Sequence, residues 1–180
     1  MKGIVFTEFL DLVENRFGLE TVDEIIQKSK LPSNGVYTAI GTYAFSEMLT
    51  LVYNLSEKTE LSIDALLHVY GLHFFSVIER DYPGILATYS NPMSLLSSVE
   101  SHIHVEVRKI YPDAELPRFE VVEQIGNKLT LLYYSSRCMY AFGLGLMEKA
   151  FEHYGRNASI TTQKLNESGS EVKFVIIENE

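Results

Sequence analysis

Only one of the 180 residues, Cys138, is a cysteine, and there is no tryptophan. A lone thiol excludes an intramolecular disulfide and any zinc or iron–sulfur site built from several cysteines. No uninterrupted apolar stretch approaches the ~20 residues that a membrane-spanning helix needs. The opening Met1-Lys2-Gly3-Ile4-Val5-Phe6 runs into Glu8, Asp11 and Glu14, which marks an amphipathic helix and not a signal peptide. Basic charge is in deficit, at a net −9, so a broad footprint for nucleic acid or anionic lipid is not expected. Internal repeats, low-complexity segments and flexible linkers are missing as well. These absences predict a soluble, cytoplasmic, single-domain chain with neither nucleic acid nor membrane among its partners.

What is present is ordinary in bulk, with 46% hydrophobic and 22% charged residues. The aromatic content is more pointed: eleven Tyr and ten Phe. Core packing accounts for that number, and so would the wall of a pocket for a large flat ligand.

Hydrophobic spacing predicts helices first. Val5, Phe6, Phe9, Leu10, Leu12, Val13 and Phe17 form an apolar stripe that Gly18 closes. Thr21 is expected to cap a helix over 22–28, before Pro32 and the Ser33-Asn34-Gly35 turn. Further helices are expected over 43–58, over 63–80 with Ser62 as N-cap, and from Asn91-Pro92 unbroken to about Tyr111. After Pro117 the period changes to that of strands. Hairpins are expected over 119–135 around Gly126-Asn127 and over 159–177 around 166–169, with a helix over 139–154 between them. Helices followed by a ββαββ part argue for an α+β fold with an antiparallel sheet.

Signatures of hydrolysis and of nucleotide binding are thin. There is no Gly-x-Ser-x-Gly elbow, and Gly143-Leu144-Gly145 lacks the third glycine of a nucleotide loop and reads better as close helix packing. The five histidines are His68, His73, His102, His104 and His153, in no arrangement with two histidines and a carboxylate on one helix face. His102 and His104 point in different directions on a helix, and His68 and His73 are poorly spaced for joint ligation. Single-histidine ligation is what remains. Helical periodicity does not single out His104, because the apolar stripe there is Leu96, Val99, Ile103, Val107 and Ile110, and it predicts a half-exposed residue. Cys138 directly follows Arg137, which could lower its thiol pKa, but a buried filler role is expected for it.

The run Tyr133-Tyr134-Ser135-Ser136-Arg137 carries the most chemistry. Read as a strand, it places Tyr133, Ser135 and Arg137 on one face. A guanidinium fork flanked by a phenol and a hydroxyl is a receptor for carboxylates. Paired with one metal-binding histidine, it suggests a cofactor holding both an iron and carboxylates, namely haem.

With His104, Tyr111-Pro112, Leu116-Pro117 and Tyr133-x-Ser135-x-Arg137 in this order and spacing, the chain resembles the H-NOX family. These are haem nitric oxide/oxygen-binding domains related to the haem domain of soluble guanylate cyclase, and the likeness is to the stand-alone bacterial type. The resemblance covers essentially the whole chain. It implies one domain over 1–180, with a helical part over about 1–60, a haem-clamping α+β part over about 61–180, and haem buried between them. It implies haem b (iron protoporphyrin IX) as cofactor, His104 as proximal iron ligand, and Tyr133, Ser135 and Arg137 as ligands of the propionates. Pro117 matches a proline that packs on the porphyrin and helps distort it.

Oxygen-binding relatives carry a distal tyrosine supported by polar partners. The matching positions here are Phe142, with Phe9 and Phe74 where partners would stand, so the resemblance implies nitric oxide as ligand, with carbon monoxide as a second gas. Tyr140, two residues before Phe142, points elsewhere on a helix. The expected function is a non-enzymatic gas sensor with five-coordinate ferrous haem. Nitric oxide binding would loosen the His104 bond, shift the N-terminal helical part, and pass the signal to a histidine kinase or a cyclic-di-GMP enzyme. The alternative is a haem-free module holding a small hydrophobic ligand, and a weaker third reading is a hydrolase using Ser101 or His102.

Overall fold

The computed structural model describes residues 1–179, as eight α-helices, one π-helical turn and four strands. They divide into two compact units, Met1–Tyr70 and Gly71–Glu180. The division falls inside one helix, after Tyr70.

In the first unit, α1 (Gly3–Phe17) buries Phe6, Phe9, Leu12 and Val13, the stripe expected from its spacing. Gly18 ends it at φ 86, a left-handed backbone that a side chain would strain. Then α2 (Leu19–Ser29) begins at once. Thr21 is therefore inside α2, three positions after its N-cap Gly18, and its hydroxyl donates back to the Phe17 carbonyl. A turn over 32–35 leads to α3 (Phe45–Thr59) and then to α4 (Ile63–Asp81), whose first turn is capped by Ser62 through the Ala65 amide. Glu47, buried in α3, accepts from the Ser33 and Tyr37 hydroxyls and so anchors the 32–42 segment. Tyr70 closes the unit. It is fully buried, donates to the Val5 carbonyl at 2.6 Å and meets Phe9 edge-on.

In the second unit, α4 continues from Gly71, followed by the short α5 (Pro83–Leu86) with Pro83 in its first turn. Asn91 caps α6 (Pro92–Ser97) by accepting from the Ser94 amide at 2.9 Å. The single helix expected over 91–111 is three pieces: α6, a π-helical turn Val99–Ile103, and α7 (His104–Ile110). Beyond these lie β1 (Arg118–Ile125), β2 (Lys128–Tyr134), α8 (Tyr140–His153), β3 (Ala158–Lys164) and β4 (Glu171–Glu178). The strands form one antiparallel sheet in the order β1-β2-β4-β3, so the fold is the α+β arrangement expected.

Strand alternation sets the sheet core. Leu129, Leu131 and Tyr133 of β2 lie opposite Ile176, Phe174 and Val172 of β4, and all six are buried. Gly126 supplies the positive φ that the two-residue turn between β1 and β2 needs. On the helical side α4 and α8 approach closely at Gly71, where an added Cβ would lie 2.1 Å from the Phe142 carbonyl and 3.1 Å from Gly145 Cα. That contact explains Gly145 by close packing, whereas a side chain at Gly143 would meet only the edge of Phe119 at 4.0 Å.

Candidate functional site

His104 is the first residue of α7 and is buried, with 8% of its surface exposed. The half-exposed position that 3.6-residue periodicity predicts is thus overturned. A π-helical turn inserts one residue and rotates everything after it relative to a regular helix. Here it brings His104 inward while Val99, Ile103 and Val107 are only half-buried and Ile110 is exposed. His102 goes elsewhere: its Nδ1 is 2.5 Å from the Tyr89 hydroxyl.

One carboxylate organises the histidine. Glu100, one turn earlier, has its Oε2 at 3.2 Å from His104 Nδ1. An ionised carboxylate only accepts, so Nδ1 carries the proton and Nε2 is left as the nitrogen with a lone pair for a metal. The same Oε2 accepts the Phe119 amide at 3.1 Å, and Arg108 lies 3.7 Å from Oε1. Burial pushes the Glu100 carboxyl up, but the Phe119 amide, His104 and Arg108 outweigh it and hold it below the usual carboxylate range. Burial likewise pulls His104 below its ordinary value, against the opposing pull of Glu100. Both shifts favour a neutral imidazole beside a charged carboxylate.

From His104 an aromatic chain leads to the second group. The His104 and Phe119 rings are 6.0 Å apart, and Phe119 meets Tyr133 at 5.5 Å. Tyr133 is buried on β2, and its oxygen accepts the Met139 amide at 3.0 Å. Burial raises its phenol, while hydrogen bonding to Ser135 and Met139 acts the other way.

Strand alternation does not extend to Ser135 and Arg137, because β2 ends at Tyr134 and Ser136-Arg137 is a turn. Ser135 still pairs, donating its amide to the Ser170 carbonyl at 2.9 Å, but its hydroxyl accepts the Arg137 amide and its carbonyl accepts that of Cys138. A serine side chain that captures a nearby amide offers the backbone a turn in place of the ladder. Cys138 sits in this turn at φ 53, half-buried and not the core filler expected, with Sγ 3.7 Å from the Ser136 carbonyl. The turn nonetheless keeps the three side chains close in the chain. Arg137 reaches back to the segment before β1, donating through Nη1 to the Glu115 carbonyl at 3.0 Å and through Nη2 to its carboxylate.

Pro117 is half-buried in that same segment, two residues before Phe119. Phe74 of α4 and Phe142 of α8 face each other with ring centres 5.5 Å apart. Tyr140 turns the opposite way: Lys164 sits over its ring at 4.9 Å, and Gly169 lies beside it. Phe9 is buried within the first unit, against Tyr70. Sequence reasoning missed Glu100, Glu115 and Phe119. Only the i−4 spacing of Glu100 from His104 was there to be read; the other two partnerships span 19 or more residues.

Iron would need help from a non-protein group here. Among the described residues no cluster of three or more His, Cys, Asp or Glu could hold a metal ion. One buried histidine with a committed Nδ1, together with a phenol, a hydroxyl and a guanidinium next to one another, fits a metal carried in an acidic macrocycle.

Residues 2–162 match the family model described as haem-NO-binding. An H-NOX protein from K. algicida, solved in the Fe(II) unliganded form, is 64% identical with a TM-score of 0.98, covering 100% of this chain and 97% of that one. The H-NOX from Shewanella woodyi, solved in the Fe(II)CO ligation state, is 34% identical with a TM-score of 0.83, covering 99% and 95%. One from S. oneidensis in the Fe(II)NO ligation state is 24% identical with a TM-score of 0.92 over the full length of both chains, and attests the fold. No curated protein matches the chain. With the match spanning both His104 and the Tyr133–Arg137 run, the chain belongs to the haem-NO-binding, or H-NOX, family.

Proposed function

We propose that this protein is a non-enzymatic sensor that carries haem b, binds nitric oxide at ferrous iron, and reports to a separate protein. The observation that carries the reading is His104, buried and held by Glu100 with Nε2 left for a metal, in a member of the haem-NO-binding family. Haem, when bound, supplies the iron that takes the gas.

The residues divide the remaining work. His104 ligates through Nε2, and Glu100 fixes its tautomer and ring direction. Tyr133, Ser135 and Arg137 hold the propionates, and Pro117 packs against the porphyrin. Phe142, Phe74 and Phe9 set gas choice by what they lack. Oxygen bound to ferrous iron gains from a hydroxyl donor, whereas nitric oxide does not need one. The Phe74–Phe142 pair offers none, and the Tyr140 ring packs beneath Lys164. Two relatives have been captured with nitric oxide or carbon monoxide on ferrous iron, which supports both gases as ligands here.

Signalling follows from His104 being the yielding bond. A π-helical turn departs from the regular helical ladder and is frequent at functional sites, and the residues just before His104 would change register most readily if its bond to a metal were weakened. A ligand that favours the released state shifts the population towards it. The receiver is then a histidine kinase or a cyclic-di-GMP enzyme, and the place of action the cytoplasm, where such enzymes deliver their output.

The absorption spectrum of the purified protein tests this. A Soret band in the ferrous state, changed by nitric oxide and giving no stable oxygen complex under air, is expected. A stable ferrous–oxygen spectrum under air would overturn the gas assignment. Protein that shows no Soret band after hemin addition would overturn the cofactor and favour the haem-free module.

A further inference from the structure

We infer that Glu115 tunes haem retention by competing with a propionate for Arg137; this rests on the haem reading above. Arg137 is largely covered, its side chain 16% exposed, and both of its outer nitrogens are turned to Glu115. Glu115 offers two oxygens of different kinds. Its backbone carbonyl is neutral and part of the chain path. Its carboxylate sits on a side chain 83% exposed and is chemically the same group as a propionate.

The two contacts therefore have different fates when a second carboxylate arrives. Two carboxylates on one guanidinium repel each other, and the one that can leave is the exposed, flexible one. The backbone carbonyl stays and keeps the fork aimed. The Glu115 charge thus weakens the grip of Arg137 on any further carboxylate, both by occupying donors and by Coulomb repulsion. In a chain of net charge −9 no long-range field offsets this. Glu115 acts through Arg137, so it is a positioning residue and not a haem ligand. It also ties haem loading to the segment carrying Pro117, because the freed side chain belongs to the stretch that joins α7 to β1.

The test is the rate of haem transfer from loaded protein to excess apomyoglobin, for the native chain and for Glu115→Gln. An ion pair with one exposed partner is worth ~0.2–1 kcal/mol, so Glu115→Gln should lose haem roughly 1.4- to fivefold more slowly. Glu115→Lys should slow it further, and Glu115→Asp should leave it near the native rate. Loading with hemin dimethyl ester, which has no free carboxylate, should abolish the difference between native and variant, which a merely structural role would not do. Equal or faster haem loss from Glu115→Gln, or the same difference with the ester, overturns the inference while leaving the sensor reading intact. Failure of the native chain to take up hemin overturns both.

Discussion

The two sides of the candidate haem site break regularity in opposite ways. On the proximal side a helix gains a residue: the π-helical turn Val99–Ile103 swings His104 into the interior. On the propionate side a strand stops short: β2 ends at Tyr134, and the Ser135 hydroxyl takes the Arg137 amide to start a turn. Both devices aim a polar residue where regular periodicity would not. They differ in what holds them. His104 depends on one carboxylate that also pins the start of β1 through Phe119. Arg137 donates to an exposed carboxylate and to a backbone carbonyl, both of Glu115. A support shared with the start of β1 suits a metal bond that must have one direction, and an exposed one suits a group that must be captured.

Removing one side at a time should break this comparison, beginning with the metal. His104→Gly should abolish the normal Soret spectrum unless imidazole is added, a loss visible by absorption; unaltered haem binding without imidazole would remove the proximal assignment. Arg137→Ala takes away the charged fork, and haem transfer to apomyoglobin should speed up on the order of tenfold or more, given ~1.5–3 kcal/mol for a hydrogen bond to a charged group. Glu100→Gln keeps the shape of the support but not its charge. It should lower the iron–histidine stretching frequency in resonance Raman and weaken haem retention by about tenfold, the lower end for such supporting carboxylates. Tyr133→Phe is the mildest, because Ser135 and Arg137 remain. It leaves the Met139 amide without its acceptor, at a cost of ~1 kcal/mol and a fall of a few degrees in Tm by circular dichroism.

Much of this arrangement is legible in the sequence. The stripe from Val5 to Phe17 and its Gly18 stop became α1 and its cap, since spacing and a left-handed glycine are local facts. Gly126-Asn127 placed the first hairpin for the same reason. The site was legible only as residue types in order. A helix read by period put His104 half outside, and a strand read by alternation carried Ser135 and Arg137 too far along β2. Thr21 misled in a smaller way, because a hydroxyl that caps a helix start can equally bond back to the turn before it.

The residues that went unread are those whose partners lie far along the chain. Phe119 meets Glu100 through its backbone amide, which has no sequence signature, and Glu115 meets Arg137 across 22 residues. Composition, periodicity and the His104 to Arg137 motifs by themselves determined the α+β class, most element positions and the family, because these rest on local propensity and residue identity. Only the tertiary structure decided the phase of the helix at His104, the end of β2 and the carboxylates that hold each side. Those depend on which distant amide or guanidinium is within hydrogen-bond reach, and about 3 Å of reach is a property of the folded chain alone.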